Sequence, residues 1–130
     1  MKWIFVPLFL FVFLLSQAIP TTVAAKKSVG SSIAVSGQYL KVKNVVRAYF
    51  GNLKGVKSVS YTLMYEANGV GQGVMGGFAP GKKKAVSKDM YLGTCSGKVC
   101  TPHRMIKNIQ LEVITNYTNG KSSTKTMKVK

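Results

Sequence analysis

Beyond residue 32 the chain alternates apolar and polar positions with the period of an extended strand. Leu40, Val42, Val46, Ala48 and Phe50 fall on one side and Lys41, Lys43 and Arg47 on the other. The stretch 40–50 therefore reads as one half-buried strand, broken or bulged near Asn44. A short strand at Ile33-Ala34-Val35, stopped by Ser36-Gly37, precedes it. In 56–67, Val59, Tyr61, Leu63 and Tyr65 share a face, with Ser58, Ser60, Thr62 and Glu66 opposite. β-Branched and aromatic residues dominate there, as strands prefer. Ile109, Leu111, Val113, Thr115 and Tyr117 line one face of a later strand, and Met127 and Val129 one face of the last. Between these two stands Asn119-Gly120, which predicts a type I′ hairpin turn with both residues at positive φ. A further strand is expected around 90–94. The glycine-rich stretch 68–84 excludes a helix and reads as a long loop. No segment after the first residues has a helical period, and no internal repeat occurs.

The N-terminal residues follow another rule. Lys2 precedes an apolar run, 3–15, interrupted only by Pro7; the chain then turns small and polar, with Val23-Ala24-Ala25 before Lys26-Lys27. That order describes a secretory signal peptide cleaved after Ala25, with Ser16-Gln17-Ala18 as a second cleavage position. The run is shorter than the ~20 apolar residues of a membrane span. The expected organisation is a signal peptide, 1–25, a flexible basic lead-in, 26–32, and a β-domain, 33–130. The expected location is secreted or extracytoplasmic, with no membrane span after cleavage.

Charge narrows the function classes. The chain has 19 Lys and Arg against three acidic residues, a net charge of +16, and only Lys2 of these cations lies in the leader. Such an excess favours anionic partners: an acidic cell-surface polymer, nucleic acid or lipid headgroups. Lysines also keep strand faces solvated and edges unpaired. Lys82, Lys83 and Lys84, at the tip of the glycine-rich stretch, and Arg104 are the candidate anion-binding residues. The three acids, Glu66, Asp89 and Glu112, are scattered, so no carboxylate pair is set up for acid–base work. Each is read as a partner for one of the many lysines. Gly71-Gln72-Gly73-Val74-Met75-Gly76 matches a dinucleotide fingerprint, and 76–82 most of a phosphate-binding loop. Both motifs require a following helix, which Gly77, Pro80 and Gly81 exclude. No enzyme and no cofactor is expected. The six tyrosines are read mainly as packing, and Asn116-Tyr117-Thr118 is formally a glycosylation sequon.

The special residues gather in 93–105, which holds both cysteines and the only histidine. In an exported chain, Cys95 and Cys100 favour a disulfide clamping a hairpin whose turn is supplied by Ser96-Gly97. A three-ligand copper(I) or zinc site from Cys95, Cys100 and His103 is the alternative use of the same donors. Cys100-Thr101-Pro102-His103, followed by Met105, resembles the copper loop of cupredoxins. That likeness would make Cys100, His103 and Met105 ligands. A blue-copper site needs two histidines, and the chain has one.

The segment from Ile109 through Asn119-Gly120 to Val129 resembles the closing hairpin of fibronectin type III and related immunoglobulin-like domains. The resemblance implies an adhesive, spacer or ligand-binding module. With about six or seven short strands and turn signals between them, the expected fold is all-β: an immunoglobulin- or fibronectin-III-like β-sandwich. The expected function is non-enzymatic binding of an anionic surface or polymer, or packing as an accessory module against another extracellular protein. Extracellular nucleic-acid binding and copper or zinc handling are the alternatives.

Overall fold

The computed structural model describes residues 32–130. The expected leader, and all of the lead-in but Ser32, lie outside the described residues. The fold is all-β. Its strands are β1 (Ala34–Leu40), β2 (Val45–Gly51), β3 (Val56–Ala67), β4 (Val70–Phe78), β5 (Val86–Tyr91), β6 (Gly93–Ser96), β7 (Val99–Pro102), β8 (Lys107–Tyr117) and β9 (Ser122–Lys128). They form a three-stranded sheet β1-β2-β5, a four-stranded sheet β4-β3-β8-β9 and the separate hairpin β6-β7. All the pairings are antiparallel.

The alternating positions place the core. Val46, Ala48 and Phe50 of β2 and Met90 of β5 are buried in one cluster with Val59, Leu63 and Tyr65 of β3 and Leu111 and Val113 of β8. Phe50 joins the two larger sheets. Its ring lies edge-on to Phe78 at 5.2 Å and tilted against Tyr61 at 5.7 Å. Aromatic pairs at such distances add to the stabilisation from burial alone.

Four expectations about the strands are corrected. The stretch 40–50 is not one strand: a 3₁₀ turn at Lys41–Lys43 ends in Asn44 at φ 52°, and the chain folds back with Leu40 opposite Val45. Asparagine tolerates this left-handed conformation, so the break falls on it. Ser36-Gly37 does not stop β1. A Cβ on Gly37 would lie 3.0 Å from Val129 Cγ2, so the glycine admits Val129 rather than a turn. The strand expected at 90–94 is two strands separated by buried Leu92. In the last hairpin only Gly120 has positive φ, at 80°. Gly120 N donates to Tyr117 O at 3.1 Å and Tyr117 N to Lys121 O at 2.8 Å. This is a three-residue loop ending in a left-handed glycine, not a type I′ turn.

The largest correction is β4, which occupies the middle of the expected loop. Glycine is poor in a helix but does not forbid an edge strand. Gly76 stands directly opposite Tyr61, and the Tyr61 ring occupies the space a Cβ would need, with Cε2 2.9 Å from that position. An aromatic laid over a cross-strand glycine restores the packing that the glycine lacks. Gly76→Ala is expected to push Tyr61 off this seat and cost about 1–3 kcal/mol. A urea titration should show the loss, and Gly71→Ala, where a Cβ meets nothing within 4 Å, should be near neutral.

A candidate anion-binding end and the stapled hairpin

Three turns meet at one end of the molecule. The β2–β3 turn carries Lys54, the β4–β5 turn carries Lys82, Lys83 and Lys84, and the β8–β9 turn carries Lys121. Backbone hydrogen bonds tie them together. Leu53 N donates to Lys84 O at 3.2 Å, and Thr118 N to Gly55 O at 2.9 Å. The β4–β5 turn is closed by Lys83 N donating to Pro80 O at 3.0 Å, with Gly81 at φ 59°. Between the first two turns lies an open depression of about 590 Å³, with Asn52, Leu53 and Lys54 on one wall and Gly81, Lys82, Lys83 and Lys84 on the other. All four lysines are exposed. The backbone of both turns is held by these hydrogen bonds, and the lysine side chains extend from it into solvent. Such an arrangement offers positive charge density rather than one fixed ligand shape.

Arg104 does not join this group. It follows His103, whose N–H donates to Leu92 O beyond the C-terminal end of β5. Lys82, Lys83 and Lys84 precede the opposite end of that strand. Lys54 and Lys121 are members that the sequence reading missed. The signal available was a lysine inside each of two glycine-marked turns, 51–55 and 118–121.

The cysteine stretch is a stapled hairpin. Cys95 and Cys100 are directly opposed on β6 and β7 and form a disulfide. The turn falls at Gly97-Lys98, with Gly97 at φ 60°. With both sulfurs bonded to each other, neither is a thiolate. Among the described residues no three His, Cys, Asp or Glu side chains gather to hold a metal. His103 is engaged elsewhere. Its Nδ1 lies 2.9 Å from Tyr65 Oη and its Nε2 3.0 Å from Thr94 Oγ1. Burial raises the Tyr65 pKa, with a smaller contribution from Tyr39. The phenol therefore keeps its proton, and when it donates to Nδ1 the ring's Nε2–H is left to donate to Thr94. His103 thus fastens the hairpin to β3 rather than standing displayed.

Asn44 fastens the other side. Its amide donates to Leu92 O and to His103 O, the latter at 3.2 Å, and its Oδ1 accepts from Tyr39 Oη at 2.7 Å. Among the acids, Asp89 finds a cation directly across the sheet. Arg47 Nε and Nη2 each donate to its carboxylate at 2.7 Å. That hydrogen-bonded pairing holds the Asp89 carboxyl below its usual range. Its partner is an arginine, where the excess of lysines had suggested a lysine. The sequon residue Asn116 gives its amide to Ser58 Oγ at 3.2 Å.

Comparison of the chain with protein-family models, curated proteins and solved structures finds no match. Among the described residues no helix is long and apolar enough to cross a membrane. What stands is an all-β protein with one disulfide hairpin and a lysine-lined depression at one end.

Proposed function

We propose that this chain is a secreted, non-enzymatic β-sandwich of the immunoglobulin-like, fibronectin type III kind that binds an anionic polymer through its basic end. The observation that carries the reading is the depression lined by Lys54, Lys82, Lys83 and Lys84, which come from two turns far apart in sequence. The strand order supports the sandwich. β5 returns beside β2, and β8 beside β3, so each sheet takes strands from both halves of the chain. This is the Greek-key sharing of such sandwiches. The disulfide supports an oxidising, extracytoplasmic setting.

Four lysines that each displace a counterion from a polymer make binding strongly salt-dependent. For a duplex DNA probe the slope of log affinity against log salt is expected near −3 to −4, at about −0.9 per neutralised phosphate. Dextran sulfate is the second probe, and comparable binding at matched charge marks a general polyanion site. A marked preference for DNA moves the reading to nucleic acid. Affinity that does not change with salt ends the polyanion reading.

A further inference from the structure

β4 lies at the edge of its sheet, and among the described residues nothing pairs with its outer side. It also lacks the devices that keep such edges apart. Its sequence, Val-Gly-Gln-Gly-Val-Met-Gly-Gly-Phe, has no charge and no proline. The other edges of the two larger sheets differ. β9 carries Lys125 and Lys128, and β5 carries Lys88 and Asp89. Lys125 stands opposite buried Val113, on the inward side of its edge strand. β1 is uncharged, but Tyr39 N donates to Lys130 O at 2.9 Å, so part of its edge is taken.

The absence of cations extends past the strand. No lysine or arginine occurs between Lys57 and Lys82, and Glu66 is the sole charge in that interval. Lys88 reaches over from β5 only as far as the Phe78 ring, 5.6 Å from its centroid. In a chain of net charge +16, the β3–β4 hairpin is the surface where two copies meet with the least opposition of lysine to lysine.

The strand also complements itself. In an antiparallel pair crossing at Val74, each Val74 faces its counterpart, Met75 faces Gly73, Gln72 faces Gly76, Gly71 faces Gly77 and Val70 faces Phe78. Every large side chain meets a glycine or an apolar residue. Met75, 80% exposed in the single chain, then lies over bare glycine backbone of the second copy.

We propose that β4 is a self-association edge: two copies pair antiparallel through it about a two-fold axis, joining their four-stranded sheets into one continuous sheet. The occupant is a second copy because an anionic strand is drawn to the lysine turns instead, and a cationic one finds only Glu66. A copy brings the same neutral, glycine-spaced edge. Such an isologous contact closes on itself, so association stops at the dimer. The proposal does not depend on polyanion binding, and its salt dependence is opposite. Screening lowers the repulsion between two cationic chains and tightens the dimer, whereas it weakens polyanion binding.

The test is sedimentation equilibrium of the purified protein in about 0.1 M and about 1 M salt. A mass of twice the chain, with tighter association in high salt, is expected. Gly73→Lys and Met75→Lys are each expected to weaken the dimer about tenfold or more, because the two-fold axis brings each new charge into the interface twice. Both should fold normally. A Cβ on Gly73 meets nothing nearer than Leu63 O at 3.7 Å, and Met75 already projects into solvent. An unchanged far-ultraviolet circular dichroism spectrum and a cooperative melt of either variant show that loss of the dimer is not loss of the fold. Val74→Cys is expected to cross-link to its counterpart on mild oxidation. A monomer at both salts, a dimer indifferent to both lysine substitutions, or a dimer in which Val74→Cys does not cross-link overturns the proposal.

Discussion

Asn44→Ala is expected to lower the unfolding free energy by about 3 kcal/mol, although it removes only a carboxamide from a half-buried turn. The side chain satisfies three groups at once: the carbonyls of Leu92 and His103 and the hydroxyl of Tyr39. Alanine removes this partner from all three, although Leu92 O keeps the His103 N–H. It also places a residue with no local hydrogen bond at φ 52°. Losing partners for buried polar groups costs about 1–3 kcal/mol each where water cannot replace them, and the left-handed conformation about 1–2 kcal/mol. Asn44→Gly separates the two causes. It relieves the backbone but restores no hydrogen bond, so its stability should fall between the wild type and the alanine variant. Urea midpoints for the three proteins give the order. An alanine variant within about 0.5 kcal/mol of wild type would show that water takes over the role of the amide.

The same residue shows where the sequence was legible and where it was not. Alternation marked 40–50 as extended and marked Asn44 as its irregular point, because apolar period and turn chemistry are local properties. The destination of the Asn44 amide was not local: it reaches Leu92 and His103, 48 and 59 residues away. β3 and β8 were visible because one face of each is buried and the other solvated, which imprints a period of two. β4 was hidden because its inward positions include Gln72 and Gly76. The apolar surface at Gly76 is supplied by Tyr61 from the neighbouring strand, so the strand has no alternation of its own to read. The disulfide was inferred from spacing, and the hairpin that directs it follows from Gly97. His103 attracted attention as the lone histidine, yet its two ring nitrogens serve the attachment of that hairpin. For the basic end, the Lys82-Lys83-Lys84 run was plain. Lys54 belongs with it only because Leu53 N is bonded to Lys84 O, a contact that no sequence period announces.

Replacing Lys82, Lys83 and Lys84 together by alanine is expected to weaken polyanion binding about 100-fold in low salt and to flatten the salt slope by about 2–3. The control must remove the same net charge from elsewhere, because a chain of net charge +16 attracts any polyanion at long range. Lys41→Ala/Lys43→Ala/Arg104→Ala serves, since these residues stand at the other end of the strands and are exposed. If long-range attraction alone governs binding, the two triple variants lose equal affinity. If the depression is the site, only the first loses several counterion-releasing contacts, and the control changes the slope by less than about 1. Folding gives no reason for the difference. All six side chains are exposed, and the hydrogen bond that fixes the β4–β5 turn to the β2–β3 turn uses the Lys84 carbonyl, which alanine retains. Adding Lys54→Ala to the first variant should flatten the slope by roughly one more phosphate contact, because Lys54 lines the same depression. Equal losses in the two triple variants would reduce the basic end to one part of a diffuse positive surface.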